Sequence, residues 1–211
     1  HAKVIKELDC ELVAVADPII AASTSLLENI GDSKPNIFDN LQELLSNRIP
    51  DLLVIATTAD VHTDHALEAI NAGVRTILLE KPLATSLRQA DDLRKACELK
   101  QVRIAVNHQM RFMPQYIMPK NLLSMDSYGG FKSMHVSAGN FGMAMNATHY
   151  FEAFRFIADE SPASVSSWFD AEFLPNPRGP QFQDASGCIR VTTSSGRRLY
   201  IDASSDHGHG L

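Results

Sequence analysis

The stretch DLLVIATTADVHTDHALEAINAGVRTILLEKP, residues 51–82, holds two apolar runs with a segment of helical spacing between them. Residues 51–58 and 74–80 are short and rich in Val, Ile and Leu, which predicts strands that are buried on both faces. The segment between them predicts a helix that ends at Gly73, because glycine readily takes the left-handed conformation that closes helices. A strand, a helix and a second strand in this order predict a βαβ unit with parallel strands.

The same alternation extends towards the amino end. Residues 1–8 predict a helix, and residues 11–17 predict a short strand that ends in an acid. Two more predicted helices follow, at residues 19–31 and 38–48, and Asp39 is the expected N-cap of the second. The upstream segments therefore extend the pattern of helices and buried strands.

The alternation also extends downstream of the unit. Residues 85–100 predict a helix, and residues 102–107 predict a further buried strand. The apolar residues that we expect on the inner face of this helix are Leu87, Leu93, Ala96 and Leu99. Repeated βαβ units predict an α/β domain with a Rossmann-type parallel sheet that is covered on both faces.

From residue 131 onwards the predicted strands are longer, and their apolar and polar residues alternate, which is typical of antiparallel sheets. These strands are FKSMHVSAG (131–139), ASVSSWFDAEF (163–173), GCIRVTTSS (187–195) and RRLYIDAS (197–204). One helix, at about residues 146–158, interrupts them, and residues 196–198 are the expected tip of a hairpin. We therefore predict an α+β domain with a largely antiparallel open sheet at residues 113–211, after a dinucleotide-binding domain at residues 1–112.

Composition limits the possible partners and compartments. The chain has 211 residues, of which 45% are hydrophobic and 21% charged, as in an ordinary globular protein. Its net charge of −6 argues against a nucleic-acid partner, and no apolar run approaches the roughly 18 residues that span a bilayer. Cys10, Cys97 and Cys188 are scattered and lack the spacing of a disulfide framework or a metal site. We therefore expect a cytoplasmic protein without a membrane segment or a bound metal.

Polar residues follow four of the predicted parallel strands at their carboxyl ends, where open α/β sheets bind ligands. The residues predicted to bind a cofactor there are Asp17, Thr57, Thr58, Glu80, Lys81 and Asn107. We also interpret His62, at the start of the following helix, as a residue on the dinucleotide side, and His65 as a packing residue. The alternative is that strand ends are polar merely because they reach the surface.

Asp17 indicates which cofactor is bound. In dinucleotide-binding folds an acid at the end of the second strand binds the adenosine ribose, about 20 residues after a glycine-rich loop. That loop and its strand would lie at or before residue 1, so we expect the sequence to be incomplete at its amino end. Because Pro18 rather than an arginine follows Asp17, NAD is favoured, with NADP as the alternative.

Five segments together resemble a known family: VAVADP, DLLVIATTADVHTDHALEAINAG, ILLEKPLATS, VNHQMRFMP and NATHYFEAFRFI. The chain is similar to the Gfo/Idh/MocA oxidoreductases, which include glucose-fructose oxidoreductase and inositol dehydrogenases. The resemblance implies a Rossmann domain, an open-sheet substrate domain and NAD(P)-dependent hydride transfer to or from a sugar, cyclitol or related polyol. It also implies that the second domain continues beyond Leu211.

The resemblance assigns roles to particular residues. It implies that Lys81 contacts substrate and nicotinamide, that Glu80 lies by the nicotinamide ribose, and that a cis bond before Pro82 fixes the aim of Lys81. The family's D-x-G-x-H pattern maps onto residues 145–149 and makes His149 the histidine. Met145 stands at the acid position of that pattern, and the adjacent Asn146 is the predicted substrate contact instead.

Oxidising an alcohol removes a hydride and the hydroxyl proton, and the protein must handle the proton. Histidine has an ordinary pKa of about 6.5 and suits proton exchange near neutral pH. We therefore expect His149 to exchange the proton while Lys81 orients the reacting oxygen. The alternatives are that His149 only packs within its helix and that Lys81 is a surface charge.

Arg111 is a second candidate for substrate binding, because a guanidinium group suits a carboxylate or phosphate. An arginine that merely faces solvent is the other interpretation. Exposed aromatic residues on the second sheet, namely Trp168, Phe169 and Phe173, suggest a homo-oligomer, and the family resemblance implies a dimer or tetramer.

Two other functions remain open from the sequence. Asp206, His207 and His209 are potential metal ligands that, together with His135 or His149, would suit a metal-dependent hydrolase. A dinucleotide-binding regulatory protein without turnover is also consistent with Met145 at the acid position. The retention of both Lys81 and His149 argues against the regulatory alternative, and metal content would decide the hydrolase.

Overall fold

The computed structural model describes residues 1–20, 34–139, 142–176 and 183–204. The chain divides into two compact units, a first unit of His1–Asn107 and a second unit of His108–Leu211. The domain boundary after residue 112 remains a prediction. Within the described residues, no helix is both long and apolar enough to cross a membrane.

Every strand pair that the structure describes in the first unit is parallel. The described strands are β1 (Ala14–Ala16), β2 (Asn36–Phe38), β3 (Leu53–Ile55), β4 (Thr76–Glu80) and β5 (Arg103–Asn107). β1 pairs with β2, while β3, β4 and β5 form a separate three-stranded sheet with β4 in the middle. The predicted parallel sheet is confirmed, although β2 was not predicted because three residues are too few to show a period.

The structure describes four α-helices in the first unit. They are α1 (Ala2–Glu7), α2 (Leu41–Asn47), α3 (His62–Ala72) and α4 (Leu87–Lys100). Of these, α2, α3 and α4 contribute side chains to the core of the unit. As predicted, α3 ends at Gly73, which has a left-handed φ of 109°. Most of the predicted helix at residues 19–31 lies outside the described residues.

One face of β4 is fully buried in the core of the first unit, whereas Leu78 on its other face is only half-buried, so the predicted burial on both faces is not confirmed. Ile77 and Leu79 are fully buried, and they belong to one cluster with Leu93 of α4 and Ile70 of α3. Burying such side chains stabilises the fold by about 1.5–3 kcal/mol each. This core holds the carboxyl ends of β4 and β5 in place.

Two details of the predicted helices were wrong. Leu87 and Leu99 are 91% and 80% exposed rather than inward, because each lies six residues from the buried Leu93 and is therefore rotated about 120° around the helix. The N-cap of α2 is Asn40 rather than Asp39, since the Glu43 amide donates to Asn40 Oδ1 at 2.8 Å. The helix begins one residue later than the cap prediction required.

The second unit is built on a four-stranded sheet. Its strands are β6 (Ser133–Ala138), β7 (Pro162–Phe169), β10 (Gly187–Thr193) and β11 (Arg198–Ala203), in the spatial order β6, β11, β10, β7. β10 runs antiparallel to both β7 and β11, whereas β11 and β6 are parallel. The predicted largely antiparallel sheet is confirmed, with one parallel pair at its β6 edge.

The α-helices among the described residues of the second unit are α5 (Pro114–Leu123) and α6 (Met143–Ala158). α5 was not predicted, and α6 starts three residues before the predicted position. α6 packs its buried Phe154 against Val191, Leu199 and Ile201 of the sheet. The short strands β8 (Leu174–Pro175) and β9 (Gln183–Asp184) pair antiparallel beside it.

The turn between β10 and β11 lies slightly before its predicted position. The Gly196 amide donates to the Thr193 carbonyl at 3.0 Å, and the Thr193 amide donates to the Arg197 carbonyl at 2.9 Å. Arg198 already belongs to β11. The hairpin tip is therefore at residues 193–196 rather than 196–198.

Candidate functional site

Glu80 and Asn107 meet at the carboxyl edge of the parallel sheet. They are register partners at the ends of β4 and β5, and Asn107 Nδ2 donates to Glu80 Oε1 at 2.7 Å. His1 Nε2 lies 2.7 Å from the same oxygen. The carboxylate is therefore held in a defined orientation at the edge where such sheets bind ligands.

Lys81 follows Glu80 directly and begins the segment that leaves β4. Its backbone amide donates to Glu80 Oε2 at 3.3 Å, and both residues are half-buried. The Lys81–Pro82 peptide bond is cis, as the resemblance implied. The sheet thus places a carboxylate and a lysine next to each other at its carboxyl edge.

Asp17 directly follows β1, at the carboxyl end where it was predicted. Its amide donates to the Phe38 carbonyl at 3.1 Å, and its Oδ1 accepts from the Ile19 amide at 2.8 Å. These two bonds fix the backbone and the carboxylate at the carboxyl end of β1. An acid oriented in this way has the chemistry to accept hydrogen bonds from ribose hydroxyls.

Thr57 and Thr58 follow β3 and are exposed. A hydrogen bond from the Thr58 side chain, and after it one from the Asp60 amide, holds the pKa of the Asp60 carboxyl below its ordinary value. Asp60 therefore stays negatively charged beside the start of α3.

His62 lies beneath this edge rather than on it. It is 1% exposed, and its ring nitrogens Nδ1 and Nε2 lie 2.7 Å from the Pro82 carbonyl and 3.1 Å from the Thr57 carbonyl. Both nitrogens therefore face the backbone of the two segments that leave β3 and β4. The interpretation of His62 as a direct cofactor contact gains no support from this placement.

In the second unit, α6 carries both Asn146 and His149. His149 is 8% exposed, and its ring contacts that of His108 edge-to-face, with ring centroids 5.8 Å apart. Burial, and secondarily Tyr116, raises the pKa of the neighbouring Tyr150 hydroxyl, so that group stays protonated at neutral pH. His108 was not singled out from the sequence, although it directly follows Asn107.

A buried carboxylate that the sequence did not reveal orients α6. Asp184 of β9 is 1% exposed, and its Oδ1 accepts from the Ala144 amide at 2.9 Å and from the Ala185 amide at 3.0 Å. Gly142, with φ of 78°, precedes the helix, and a Cβ there would lie 3.2 Å from Asp184 Oδ2. Asp184 therefore occupies the N-terminal end of the helix that carries His149, where negative charge is favoured.

Met145, at the family's acid position, lies in the same group of contacts. Asn176 Nδ2 donates to Met145 Sδ at 3.5 Å and to Asp184 Oδ2 at 3.4 Å. A thioether is at most a weak acceptor, so position 145 offers no carboxylate chemistry.

Arg111 already has partners within its own unit. Its Nη1 lies 3.2 Å from Glu152 Oε1, and its guanidinium carbon lies 5.3 Å from the centre of the Phe156 ring. A ligand carboxylate or phosphate would have to compete with Glu152 for this side chain.

A metal centre gains no support from the described parts of the chain, where no three His, Cys, Asp or Glu side chains come close enough to hold an ion. Asp206, His207 and His209 lie outside the described residues. The ring of His135 stacks on that of Tyr200 at 4.6 Å.

Comparison with known proteins identifies related chains. A family model described as "Oxidoreductase family, NAD-binding Rossmann fold" matches residues 1–108. The scyllo-inositol 2-dehydrogenase (NADP(+)) of Bacillus subtilis is 25% identical over 54% of this chain. The galactose/lactose metabolism regulatory protein of Saccharomyces cerevisiae is 26% identical over 63% of it.

Solved structures have a similar fold. GenD2 from gentamicin A biosynthesis, solved in complex with NAD, superposes on 100% of this chain with a TM-score of 0.80 and 21% identity. At this identity the likeness concerns the fold alone. The chain covers 63% of that structure, and the aligned regions span 32% and 31% of the two curated relatives.

Proposed function

This chain belongs to the Gfo/Idh/MocA family of oxidoreductases with an NAD-binding Rossmann fold, and we propose that the protein transfers a hydride between NAD(P) and a carbohydrate-like substrate. The reacting carbon would be a hydroxyl or carbonyl carbon of a sugar, cyclitol or related polyol. The names of relatives that are sugar or inositol dehydrogenases support this substrate class.

The contact between Glu80 and Asn107 is the observation that carries the proposal. It joins the ends of β4 and β5 at 2.7 Å, and Lys81 follows immediately. An oriented carboxylate can accept hydrogen bonds from ribose hydroxyls, and an adjacent lysine can bind a reacting oxygen. The donor and acceptor groups at this edge therefore fit a nicotinamide nucleoside.

The proposed dinucleotide site also includes Asp17, Thr57 and Thr58. They follow the carboxyl ends of β1 and β3. The Asp17 carboxylate would bind the adenosine ribose, while the exposed threonine hydroxyls would donate to other polar groups of the cofactor. Pro18 after Asp17 supports NAD, whereas the Bacillus subtilis relative is named as an NADP(+) enzyme. Both cofactors therefore belong in the test.

The chemistry divides between two residues. Bound nicotinamide would supply the hydride acceptor or donor. His149 would take the hydroxyl proton during oxidation and return it during reduction, since a histidine can carry a proton near neutral pH. Lys81 Nζ would hold the substrate oxygen in the orientation that the transfer requires.

Substrate contacts are proposed for Asn146 and Arg111. Asn146 lies on α6 one turn before His149, so both side chains can serve the same substrate. Arg111 would bind an anionic substituent only by exchanging its partner Glu152. We therefore propose that Asn146 contacts the substrate in every case. Arg111 would contact it only where the substrate carries a carboxylate or phosphate.

A regulatory protein that binds dinucleotide without turnover is the second candidate. The similarity to the Saccharomyces cerevisiae regulatory protein favours it, as does Met145 at the family's acid position. Turnover with any substrate would remove this candidate, while tight NAD(H) binding with no turnover across the whole panel would favour it.

We also propose a homo-oligomer, a dimer or tetramer, in the cytoplasm. β7 is exposed along its whole length, and Trp168 on it is 70% exposed, so a second copy could cover this face. The described cysteines are free, which suits a reducing compartment. A monomer by light scattering would contradict the assembly.

The test of the function is a turnover screen of the purified intact protein. NAD and NADP would each be combined with polyols, sugars and nucleotide sugars, and the absorbance of the reduced coenzyme would be followed. Substrate-dependent reduction that Lys81→Met abolishes would support the proposal. Coenzyme binding without any turnover would favour a regulatory protein instead.

A further inference from the structure

His62 connects two segments of the first unit that its sequence position does not obviously link. One ring nitrogen lies 2.7 Å from the carbonyl of Pro82, just after β4. The other lies 3.1 Å from the carbonyl of Thr57, just after β3. A single side chain at the start of α3 therefore contacts the backbone at the ends of two neighbouring strands.

The chemistry of the contact restricts the residue type. Both partners are carbonyl oxygens, which only accept hydrogen bonds, so each ring nitrogen that serves one must carry a proton. A neutral imidazole can satisfy one of the two carbonyls, and an imidazolium can satisfy both. No other side chain offers two N–H groups on opposite sides of one small rigid ring.

Burial separates this role from ligand contact. His62 is 1% exposed, whereas Thr57 and Thr58 are exposed and Lys81 is half-exposed. The residues that can reach a ligand thus lie on the segments that His62 holds, and the ring itself lies beneath them.

We propose that His62 is a positioning residue that ties the segment after β3 to the segment after β4. The tie sets the distance between the Thr57–Thr58 end and the Lys81–Pro82 end of the sheet edge. Its consequence for coenzyme binding rests on the proposed function, but the tie itself does not.

Hydrogen–deuterium exchange of the intact protein tests the tie without any ligand. His62→Leu replaces both ring nitrogens by an apolar side chain, and we expect faster exchange in both residues 57–61 and residues 83–86. His62→Gln keeps one donor group and should show a smaller increase. The matched controls are His65→Leu and His65→Gln, three residues further along the same helix, which should leave both segments unchanged.

Nicotinamide coenzyme binding supplies the second readout. We expect His62→Leu to raise the Kd for NADH about tenfold, with His62→Gln between it and the wild type, because a misplaced edge loses hydrogen bonds to the ligand. If the wild type binds no NADH, the proposed function fails, while the exchange data still decide the tie.

Unchanged exchange in both segments of a folded His62→Gln variant would overturn the proposal. Faster exchange in only one segment of both variants would overturn it as well, because the ring would then not join the two. If the leucine variant does not fold, the tie is tested by the glutamine variant and by the NMR signals of the His62 ring N–H groups in the wild type. Rapid solvent exchange of those N–H signals would count against the tie.

Discussion

Asn107 donates a hydrogen bond to Glu80 across 2.7 Å, at the level where β4 and β5 end as register partners. The bond fixes one carboxylate oxygen, while the other lies 3.3 Å from the Lys81 amide nitrogen. The three residues thus form one oriented group at the sheet edge, and several predictions about ligand binding depend on that orientation.

Removing the donor should weaken coenzyme binding. Asn107→Ala leaves Glu80 without its neighbouring amide, and loss of one such bond corresponds to a roughly two- to tenfold higher Kd for NADH. Fluorescence titration measures the change. Asn121→Ala, on exposed α5, is the control and should bind as the wild type does. Equal affinities for the two variants would mean that the contact does not serve the ligand.

Lys81 should matter for turnover more than for coenzyme affinity. Lys81→Met removes the ammonium group that would orient the reacting oxygen, and we expect kcat to fall at least about 100-fold, as when a positioned polar group is lost. The control is Lys95→Met on the exposed face of α4, where Lys95 pairs with Asp91 at 2.6 Å. An unchanged kcat in Lys81→Met would mean that Lys81 is a surface charge without a role in turnover.

Replacing His149 should lower turnover without weakening coenzyme binding. His149→Ala removes the proposed proton carrier, so turnover should fall about 100-fold or more while NADH binding stays near that of the wild type. His135→Ala, an exposed histidine on the sheet of the same unit, serves as the comparison. The role would be refuted by turnover that survives in His149→Ala.

Much of the fold follows from the sequence because local patterns report it directly. Ile77 and Leu79 lie in an uninterrupted apolar run, and the core buries both. The contact of Glu80 with Asn107 is the direct result of two parallel strands ending at one edge. By contrast, the parallel pairing of β6 with β11 could not be read, since alternating residues look the same whichever way a neighbouring strand runs.

Other features depend on contacts between distant segments. Asp184 caps α6 through Ala144, which lies 40 residues away in sequence, so no local signal marks it. Leu87 looked like a core residue because it is apolar, yet the register of α4 turns it outward. His62 was interpreted as a residue on the dinucleotide side, and only the fold reveals its two carbonyl partners.

The buried cap on α6 should be measurable as stability. Asp184→Ala leaves the amides of Ala144 and Ala185 without their acceptor, which should lower the free energy of unfolding by about 1–3 kcal/mol. Urea denaturation measures it, with the exposed Asp64→Ala as control. Asp184→Asn keeps an oxygen acceptor and should cost less. An alanine variant as stable as the control would show that the cap contributes nothing.

Glu160 should make stability depend on acid pH. Hydrogen bonds from the side chains of Ser195 and then Thr193 lower the pKa of Glu160 in the folded protein. Its contribution is therefore present above the unfolded-state pKa and is lost as the pH falls through the folded-state pKa. Glu160→Gln should lower Tm at neutral pH, with a difference that shrinks on acidification. A difference that is constant with pH would contradict this.

Titration with coenzyme decides whether the ends of β4 and β5 form a dinucleotide site. The intact protein would be titrated with NADH while the fluorescence of the coenzyme is followed, and Glu80→Ala and Asn107→Ala would be titrated in parallel. We expect saturable binding by the wild type and weaker binding by both variants. Absence of saturable binding by the folded wild type, or equal binding by all three, would contradict a dinucleotide site at the ends of β4 and β5.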